Sequence, residues 1–169
     1  EGMAFGVDPK VVESVTKAVR KVTDKPVIVK LSPNVTDIVE IAKAVEAGGG
    51  NGVSLINTLL GMAIDIHRRK PVLGNTYGGL SGPAVKPVAL RMVHQVYKGV
   101  TIPIIGLGGI MTGTDAIEFM MAGAQAVQVG TATMVDPTAI SRIAREMSEY
   151  VEQYNLNSIT DIVGAVHQV

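Results

Sequence analysis

The sequence contains no cysteine and no tryptophan among its 169 residues, and aromatic residues make up only 4% of it. Without cysteine the chain forms no disulfide, no thiolate metal site and no cysteine nucleophile of its own. Charged residues amount to 18%, against about 25% in typical soluble domains. The 15 basic and 15 acidic side chains cancel, which argues against a nucleic-acid binder that relies on bulk charge. No apolar run approaches the roughly 18 residues of a membrane span, so we expect a cytoplasmic protein with no membrane contact.

Hydrophobic residues, by contrast, make up 47% of the chain, and there are 19 glycines. A disordered chain needs low hydrophobicity or a large net charge, and this chain has neither. Its length suits a single domain that buries roughly two-thirds of its unfolded surface. We therefore expect a globular α/β protein, with residues 1–169 as one structural segment.

Short apolar runs rich in β-branched residues alternate with segments of helical periodicity. This alternation predicts a parallel sheet with helical crossovers. We predict strands at 26–31, 53–57, 102–106 and 126–130, and helices at 9–23, 38–45, 84–98, 114–122, 136–154 and 158–167. The helices at 9 and 136 are predicted to open at Asp8-Pro9 and Asp136-Pro137, where an N-cap precedes proline. An open doubly wound sheet and a (β/α) barrel both fit these four strand–helix units.

The second unit is nearly twice the length of its neighbours, because residues 58–82 show little helical periodicity. In either architecture ligands bind at the carboxyl ends of the strands. Glycine-rich stretches follow the last two strands, at 106–110 and 130–132. Such loops let backbone amides approach a phosphate, as in barrels that bind phosphate after their final two strands. The alternative interpretation is that these glycines only make tight turns.

Lys30 interrupts an apolar strand and is a candidate cation for a negatively charged ligand, although it also fits a solvated strand end. Asn57-Thr58 ends the next strand with an amide and a hydroxyl, which equally suit a turn. His67, His94 and His167 lack metal-ligand spacing, so we expect packing or solvated roles and no metal site. The basic run at 67–70 has no interleaved aromatic residues, so we expect no nucleic-acid partner.

Five motifs follow one another in an order that closely resembles the NAD-linked, class 1B dihydroorotate dehydrogenase catalytic subunits. The resemblance runs through essentially the whole chain. The motifs are Val29-Lys30-Leu31-Ser32-Pro33-Asn34-Val35-Thr36, Ile56-Asn57-Thr58, Gly78-Gly79-Leu80-Ser81-Gly82-Pro83-Ala84, Gly106-Leu107-Gly108-Gly109-Ile110 and Gly130-Thr131-Ala132.

The family is an FMN-containing (β/α)₈ barrel that oxidises dihydroorotate to orotate in pyrimidine synthesis, and the resemblance implies this fold, cofactor and substrate here. Lys30 would lie beside the flavin ring, where its charge stabilises reduced flavin. Asn57 and Thr58 would bind the orotate ring or its carboxylate. The implied cofactor-binding residues besides Lys30 are Ile56, through its backbone, and Gly82, Gly108, Gly109, Gly130 and Thr131, around the phosphate. The resemblance also implies a partner subunit that carries FAD and an iron–sulfur cluster and passes electrons to NAD.

The chain departs from the family in lacking the cysteine that takes the substrate's C5 proton, so we expect no catalytic base in this chain. Gly2-Met3-Ala4-Phe5-Gly6 resembles the stretch just after that cysteine loop. We therefore expect a fragment that supplies four βα units, the C-terminal half of a TIM (β/α)₈ barrel. Because four units leave strand edges unpaired, the fragment should pair with the missing N-terminal half or self-associate. By itself it should not turn over dihydroorotate.

Two alternatives remain open at this level. One is a phosphate-binding barrel isomerase or lyase without flavin, which the order of the five motifs and the long segment at 58–82 make less favourable. The other is a non-catalytic half-barrel scaffold, which the absence of cysteine keeps open for the isolated chain.

Overall fold

Parallel strands alternate with helices in the computed structural model, which describes residues 5–168. In chain order the elements are α1 (Pro9–Arg20), β1 (Ile28–Leu31), α2 (Ile38–Ala47), β2 (Gly52–Leu55), β3 (Leu59–Gly61), β4 (Ile64–Asp65), β5 (Lys70–Pro71), β6 (Gly78–Leu80), α3 (Lys86–Tyr97), β7 (Ile104–Leu107), α4 (Gly113–Met121), β8 (Ala126–Gln128), α5 (Thr131–Val135) and α6 (Ala139–Gln153). Short 3₁₀ helices cover Pro83–Val85, Ile159–Ile162 and Ala165–His167. Of the stretch 2–6 noted above, residues 2–4 lie outside the described residues. No described helix is both long and apolar enough to cross a membrane.

The main sheet is parallel and has the strand order β1-β2-β7-β8. Each strand pairs with the preceding strand of the same sheet, so the order never reverses. A doubly wound sheet has a switch point where the order reverses, whereas a barrel has none. The predicted fold class is confirmed: the chain is an α/β structure of four βα units that corresponds to half of a (β/α)₈ barrel.

One face of this sheet packs against the helices and forms the core. Val53, Leu55 and Ile104 on this face are at most 1% exposed, and Phe119 of α4 is fully buried against the same layer. Removing a large apolar side chain from such a site leaves a cavity and costs roughly 2–5 kcal/mol. This packing fixes the positions of the strands, and so of their carboxyl ends, relative to one another.

The opposite face, which we call the inner face, is exposed along its two edge strands, although Ser54 at its centre is only 5% exposed. The register aligns Lys30 with Ser54 and Ser54 with Ile105, so these side chains share the inner face. Lys30 and Gln128 are exposed there, and Ile28 is 51% exposed. In a closed barrel, residues at these positions pack in layers contributed by alternate strands.

Helix α1 begins as predicted but ends earlier. The Asp8 carboxylate accepts a hydrogen bond from the Lys10 amide at 2.8 Å, and Pro9 occupies the first turn. The helix was expected to reach residue 23 and instead ends at Arg20. The Arg20 guanidinium donates to the carbonyls of Thr23 and Lys25 at 2.7 and 2.8 Å, which holds the chain in a turn.

The prediction that Asp136-Pro137 opens the long helix is wrong. A separate short helix, α5, precedes these residues, and α6 begins at Ala139. Asp136 has an extended backbone, with φ −137° and ψ 105°. Its carboxylate accepts hydrogen bonds from the amide and hydroxyl of Thr138 at 2.9 and 2.7 Å, which forms a turn between the two helices.

The final predicted helix, over 158–167, is interrupted at Gly164 and forms two 3₁₀ helices instead. Gly164 has φ 73°, and a β-carbon there would lie 2.4 Å from the Tyr97 hydroxyl oxygen. Its amide donates to the Met120 carbonyl at 3.0 Å. A tertiary contact with α3 and α4 therefore decides where this helical stretch breaks.

Residues 58–82, which we call the excursion, contain no helix, as their lack of periodicity predicts. The excursion forms two antiparallel ribbons, β3 with β6 and β4 with β5. It leaves the sheet at the carboxyl end of β2 and returns at Gly82, just before α3. This connection therefore places its base beside the end of the main sheet where the glycine loops lie.

Candidate functional site

A cavity of about 250 Å³ lies between the carboxyl ends of the main strands and the base of the excursion. All nine residues that the sequence analysis assigned to cofactor or substrate line this cavity, although they come from five separate motifs. The lining residues are Lys30, Ile56, Asn57, Thr58, Leu80, Ser81, Gly82, Val85, Leu107, Gly108, Gly109, Ile110, Gln128, Gly130, Thr131 and Met134.

Lys30 gives the cavity its charge. It lies on β1 opposite Ser54, on the inner face, and its side chain is exposed towards the cavity. Among the lining residues named above, Lys30 alone carries a charged side chain, and none is acidic. With no carboxylate lining the cavity to oppose it, this ammonium favours an anionic or electron-rich ligand.

The segment at the end of β2 is fixed by pairing on both sides. The Ile56 amide donates to the Leu107 carbonyl at 2.8 Å, and the Asn57 amide donates to the Leu31 carbonyl at 2.9 Å. The Asn57 side-chain oxygen accepts a hydrogen bond from the Thr58 amide at 2.9 Å. Asn57 and Thr58 are exposed, so a rigid backbone presents an amide and a hydroxyl to the cavity.

Asn34 anchors the start of the excursion, a role that sequence reasoning missed. Its side-chain nitrogen donates to the Thr58 carbonyl at 3.1 Å, and its side-chain oxygen accepts from the Leu60 amide at 2.9 Å. The sequence signal that could have identified Asn34 is its position directly after Ser32-Pro33 in the first motif. The partners, however, are 24 and 26 residues away in the sequence, so only the fold identifies them.

The loops at Gly82 and Gly108–Gly109 touch through their backbones. Gly82, Gly108 and Gly109 have φ values of 85°, 129° and 79°, which L residues rarely adopt. A β-carbon on Gly109 would lie 2.7 Å from the Gly82 carbonyl oxygen and 2.9 Å from the Lys86 amide nitrogen. The close approach of the two segments therefore requires glycine at position 109, whereas Gly82 and Gly108 are favoured by their positive φ.

Gly130 and Thr131 form the other glycine-containing wall. A β-carbon on Gly130 would have no protein atom within 4 Å, and the φ of −114° lies outside the left-handed region. Packing within the chain does not require glycine here, but a ligand that approaches this backbone would. The Thr131 hydroxyl donates to the Ser81 hydroxyl at 3.0 Å, which joins this wall to the excursion. Ser81 and Gln128 were not among the predicted site residues.

The N-terminus of α4, although it follows β7, is already occupied by a carboxylate of the chain. One oxygen of Asp115 accepts hydrogen bonds from the Met111 and Thr112 amides, each at 2.9 Å. The Thr112 hydroxyl accepts in return from the Asp115 amide, which completes a capping box.

A second carboxylate, from α6, meets the same helix end. Glu146 accepts a hydrogen bond from the Gly113 amide, and Arg142 donates to Glu146 at 3.0 Å. The Gly113 amide, and after it the Arg142 guanidinium, holds the pKa of Glu146 below its usual range. The amides of Met111, Thr112 and Gly113 at this helix end are therefore bonded to carboxylates of the chain itself.

The histidines lie away from the cavity. The rings of His94 and His167 stack with centroids 4.1 Å apart, and Tyr97 stacks on His167 at 4.7 Å. Burial, and then the neighbouring His167, lowers the pKa of His94. His67 is exposed in the excursion. These positions agree with packing and solvated roles, and within residues 5–168 no cluster of three His, Cys, Asp or Glu suits a metal ion.

Comparison with known proteins gives one consistent family. A family model described as "Dihydroorotate dehydrogenase" matches residues 1–151. The protein named "Dihydroorotate dehydrogenase B (NAD(+)), catalytic subunit" of Desulforamulus reducens is 64% identical over 166 residues, which cover 98% of this chain and 55% of the relative. Proteins of the same name from Alkaliphilus metalliredigens and Geobacter sulfurreducens are each 61% identical over 165 residues, which cover 98% of this chain and 55% and 54% of the relative. The chain thus spans about half the length of the curated relatives that it matches.

Proposed function

This chain belongs to the dihydroorotate dehydrogenase family, and from that premise we propose that it supplies the flavin-phosphate side and part of the substrate side of an enzyme that oxidises dihydroorotate to orotate. FMN is the proposed cofactor, and pyrimidine biosynthesis is the proposed pathway. One observation carries the proposal. The nine residues named for cofactor and substrate surround one cavity, whose only charged lining residue among those described is Lys30.

The cavity's donor set and glycine walls fit the phosphate end of FMN. The space beside Gly130 is free of protein atoms, and the hydroxyls of Ser81 and Thr131 meet at the same wall. Gly108 and Gly109 line the cavity without a β-carbon, so their backbone would lie close to a bound phosphate. No described lining residue is acidic, so nothing in this wall repels a phosphate dianion.

The other end of the cavity fits a flavin ring and a substrate carboxylate. Lys30 would lie beside the ring and stabilise the negative charge that develops on it. Asn57 and Thr58 would orient the substrate through hydrogen bonds from their side chains. FMN, when bound, supplies the chemistry that accepts a hydride from the substrate.

The proton that leaves the substrate needs an acceptor that this chain does not provide. A positioned general base contributes about 10²–10⁴-fold to rate, and the family's base, a cysteine, is absent from the sequence. We propose that residues 1–169 act as a C-terminal half-barrel segment and that a further half-barrel, with the base, covers the inner face. The isolated chain is expected to turn over dihydroorotate negligibly.

An electron-transfer partner belongs to the same proposal. The relatives are named as catalytic subunits of NAD(+) enzymes, which implies a further subunit in those proteins. For this chain we propose a partner that carries FAD and an iron–sulfur cluster and delivers electrons to NAD. Family membership weighs against a flavin-free isomerase or lyase, and no structural observation favours one. The scaffold alternative is addressed by the experiment below.

The decisive experiment compares flavin reduction with flavin retention in the complete enzyme. Lys30→Met keeps the length of the side chain and removes its charge. We expect reduction by dihydroorotate in a stopped-flow instrument to slow by about 10²-fold, the usual effect of removing one electrostatic contact to a transition state. FMN retention, measured by flavin absorbance, should change much less, because the substitution does not alter the residues around the proposed phosphate site.

Lys43→Met is the matched control, since Lys43 is exposed and pairs with Glu40 on α2. It should leave both measurements unchanged. Unchanged reduction in Lys30→Met would contradict the role of Lys30. A wild-type enzyme that retains no flavin would support the scaffold alternative instead.

A further inference from the structure

Lys86 is the first residue of α3 and lies against the Gly108–Gly109 loop, which is part of the proposed phosphate site. It is not among the residues that we proposed above as ligand contacts. A β-carbon on Gly109 would lie 2.9 Å from both the amide nitrogen and the β-carbon of Lys86. The backbone of Lys86 is thus one of the surfaces that fix the path of the Gly108–Gly109 loop.

The Lys86 ammonium reaches across to α4 and lies between two carboxylates. It is 2.7 Å from Asp115 and 2.8 Å from Glu118. The side chains of Lys86 and Asp115 are 26% and 15% exposed, so solvent screens this pair less than an ordinary surface pair. Hydrogen bonds to Asp115 and then to Glu118 raise the pKa of Lys86, which remains charged at neutral pH.

Asp115 links Lys86 to the backbone that follows the Gly108–Gly109 loop. One of its oxygens bonds Lys86, while the other accepts from the amides of Met111 and Thr112, which follow the Gly108–Gly109 turn by only a few residues. Burial raises the pKa of Asp115, but the hydrogen bonds, that from Lys86 first, outweigh burial and leave the pKa below its usual range. The carboxylate is therefore ionised, and its charge strengthens both the contact with Lys86 and the hydrogen bonds from the two amides.

We propose that Lys86 is a positioning residue for the cofactor phosphate. It holds Asp115 on the Met111 and Thr112 amides, which fixes the Gly108–Gly109 loop. The inference rests on the proposed function, because it takes FMN as the ligand of the cavity.

The test distinguishes the contribution of the phosphate to binding from that of the flavin ring. The flavin-free complete enzyme is titrated with FMN and with riboflavin, which has the same ring but no phosphate. Fluorescence quenching gives both dissociation constants. For Lys86→Met we expect the preference for FMN over riboflavin to fall about 10-fold, the equivalent of one charge-assisted hydrogen bond. The affinity for riboflavin should stay within about twofold, because Lys86 does not line the cavity.

Three further variants refine the result. Lys43→Met is the control and should leave the preference unchanged. Lys86→Arg keeps a charge that can reach both carboxylates and should restore most of the preference. Asp115→Asn keeps an oxygen for the two amides but loses the charge pair with Lys86, and it should lower the preference in the same direction even if Lys86→Met fails to fold.

The outcomes distinguish the two proposals. If the wild-type enzyme binds FMN no better than riboflavin, the phosphate site of the proposed function is wrong, and this inference with it. If the wild-type enzyme prefers FMN but Lys86→Met and Asp115→Asn keep that preference, Lys86 is only a structural residue and the inference is overturned. An equal loss of affinity for both flavins also overturns it.

Discussion

Glycine serves two different purposes in the residues around the cavity. Gly109 has φ 79°, and a β-carbon there would lie 2.7 Å from the Gly82 carbonyl oxygen, so backbone and neighbours both demand glycine. Gly130 has open space where a β-carbon would be. The first glycine is explained by the fold, whereas the second agrees with the proposal that the FMN phosphate approaches this backbone.

This difference predicts opposite results for two alanine substitutions. Gly109→Ala should destabilise the protein by about 1–3 kcal/mol, because alanine is strained at positive φ. Gly130→Ala should change the free energy of unfolding by no more than about 0.5 kcal/mol. It should nevertheless weaken FMN binding by about tenfold, because the methyl group occupies ligand space. Urea unfolding and FMN titration check the two effects. A Gly130→Ala protein that binds FMN normally would mean that the phosphate does not approach this residue.

At the level of whole elements, acidic side chains join helices to the backbone of neighbouring segments. Glu46 near the end of α2 accepts hydrogen bonds from the hydroxyl and amide of Thr101 at 2.6 and 2.8 Å. It also accepts from the Ile102 amide at 3.2 Å, just before β7. Asp115 and Glu146 do the same for the segment that leads into α4. In each case the carboxylate accepts hydrogen bonds from backbone amides that have no partner in the main sheet.

Glu46 predicts a pH dependence of stability. The Thr101 hydroxyl, and then the Thr101 amide, lowers the pKa of Glu46 in the folded protein. As the pH falls below the ordinary glutamate value of about 4.3, the unfolded chain takes up the proton first. The stabilisation by Glu46 is therefore complete above that pH and is lost as the pH falls through the lower folded pKa.

Glu46→Gln should accordingly be less stable than the wild type at pH 7, and the difference should narrow as the pH falls below about 4.3. Urea unfolding of both proteins between pH 7 and pH 3.5 measures this difference. Glu152→Gln, an exposed change on α6, serves as the control and should show a constant difference. A constant difference for Glu46→Gln as well would contradict the contribution of its charge.

For the molecule as a whole, the inner face of the sheet is the unusual surface. Its edge residue Ile28 is 51% exposed, and Lys30 and Gln128 are exposed beside it. On the helix-covered face of the same strands, Val53, Leu55 and Ile104 are at most 1% exposed. A sheet with one covered face and one face that exposes Ile28 along its edge fits the proposal that further strands close the barrel over it.

Ile28→Ser therefore has opposite predicted effects in two settings. In the isolated chain it should reduce self-association and the binding of a hydrophobic dye, because it removes exposed apolar surface. In the complete enzyme it should destabilise the fold by about 2–5 kcal/mol, since there the side chain is expected to be buried.

Light scattering after size-exclusion chromatography, dye fluorescence and urea unfolding measure these effects. Val22→Ser is the control, because Val22 is 84% exposed and lies outside the main sheet. An isolated chain that is a stable monomer and binds no dye would contradict the half-barrel proposal.

Local patterns predicted most of the elements, because each depends on nearby residues. The strands β1, β2, β7 and β8 were predicted from short apolar runs rich in β-branched residues. The start of α1 was predicted from Asp8-Pro9, because an N-cap residue followed by proline is a local signal. The breaks around Asp136 and at Gly164 were not predicted. The hydrogen bonds of Asp136 to Thr138 compete with helix, and Gly164 breaks the helix through contact with Tyr97, which is distant in the sequence.

The sequence by itself determined the alternation of strands and helices, the glycine loops and the cation at Lys30, because periodicity and residue type are local properties. Only the tertiary structure brought five motifs around one cavity. It also decided that Asp115 and Glu146 occupy the N-terminus of α4. The reason is that such contacts depend on distance in space, and Glu146 is 33 residues from Gly113 along the chain.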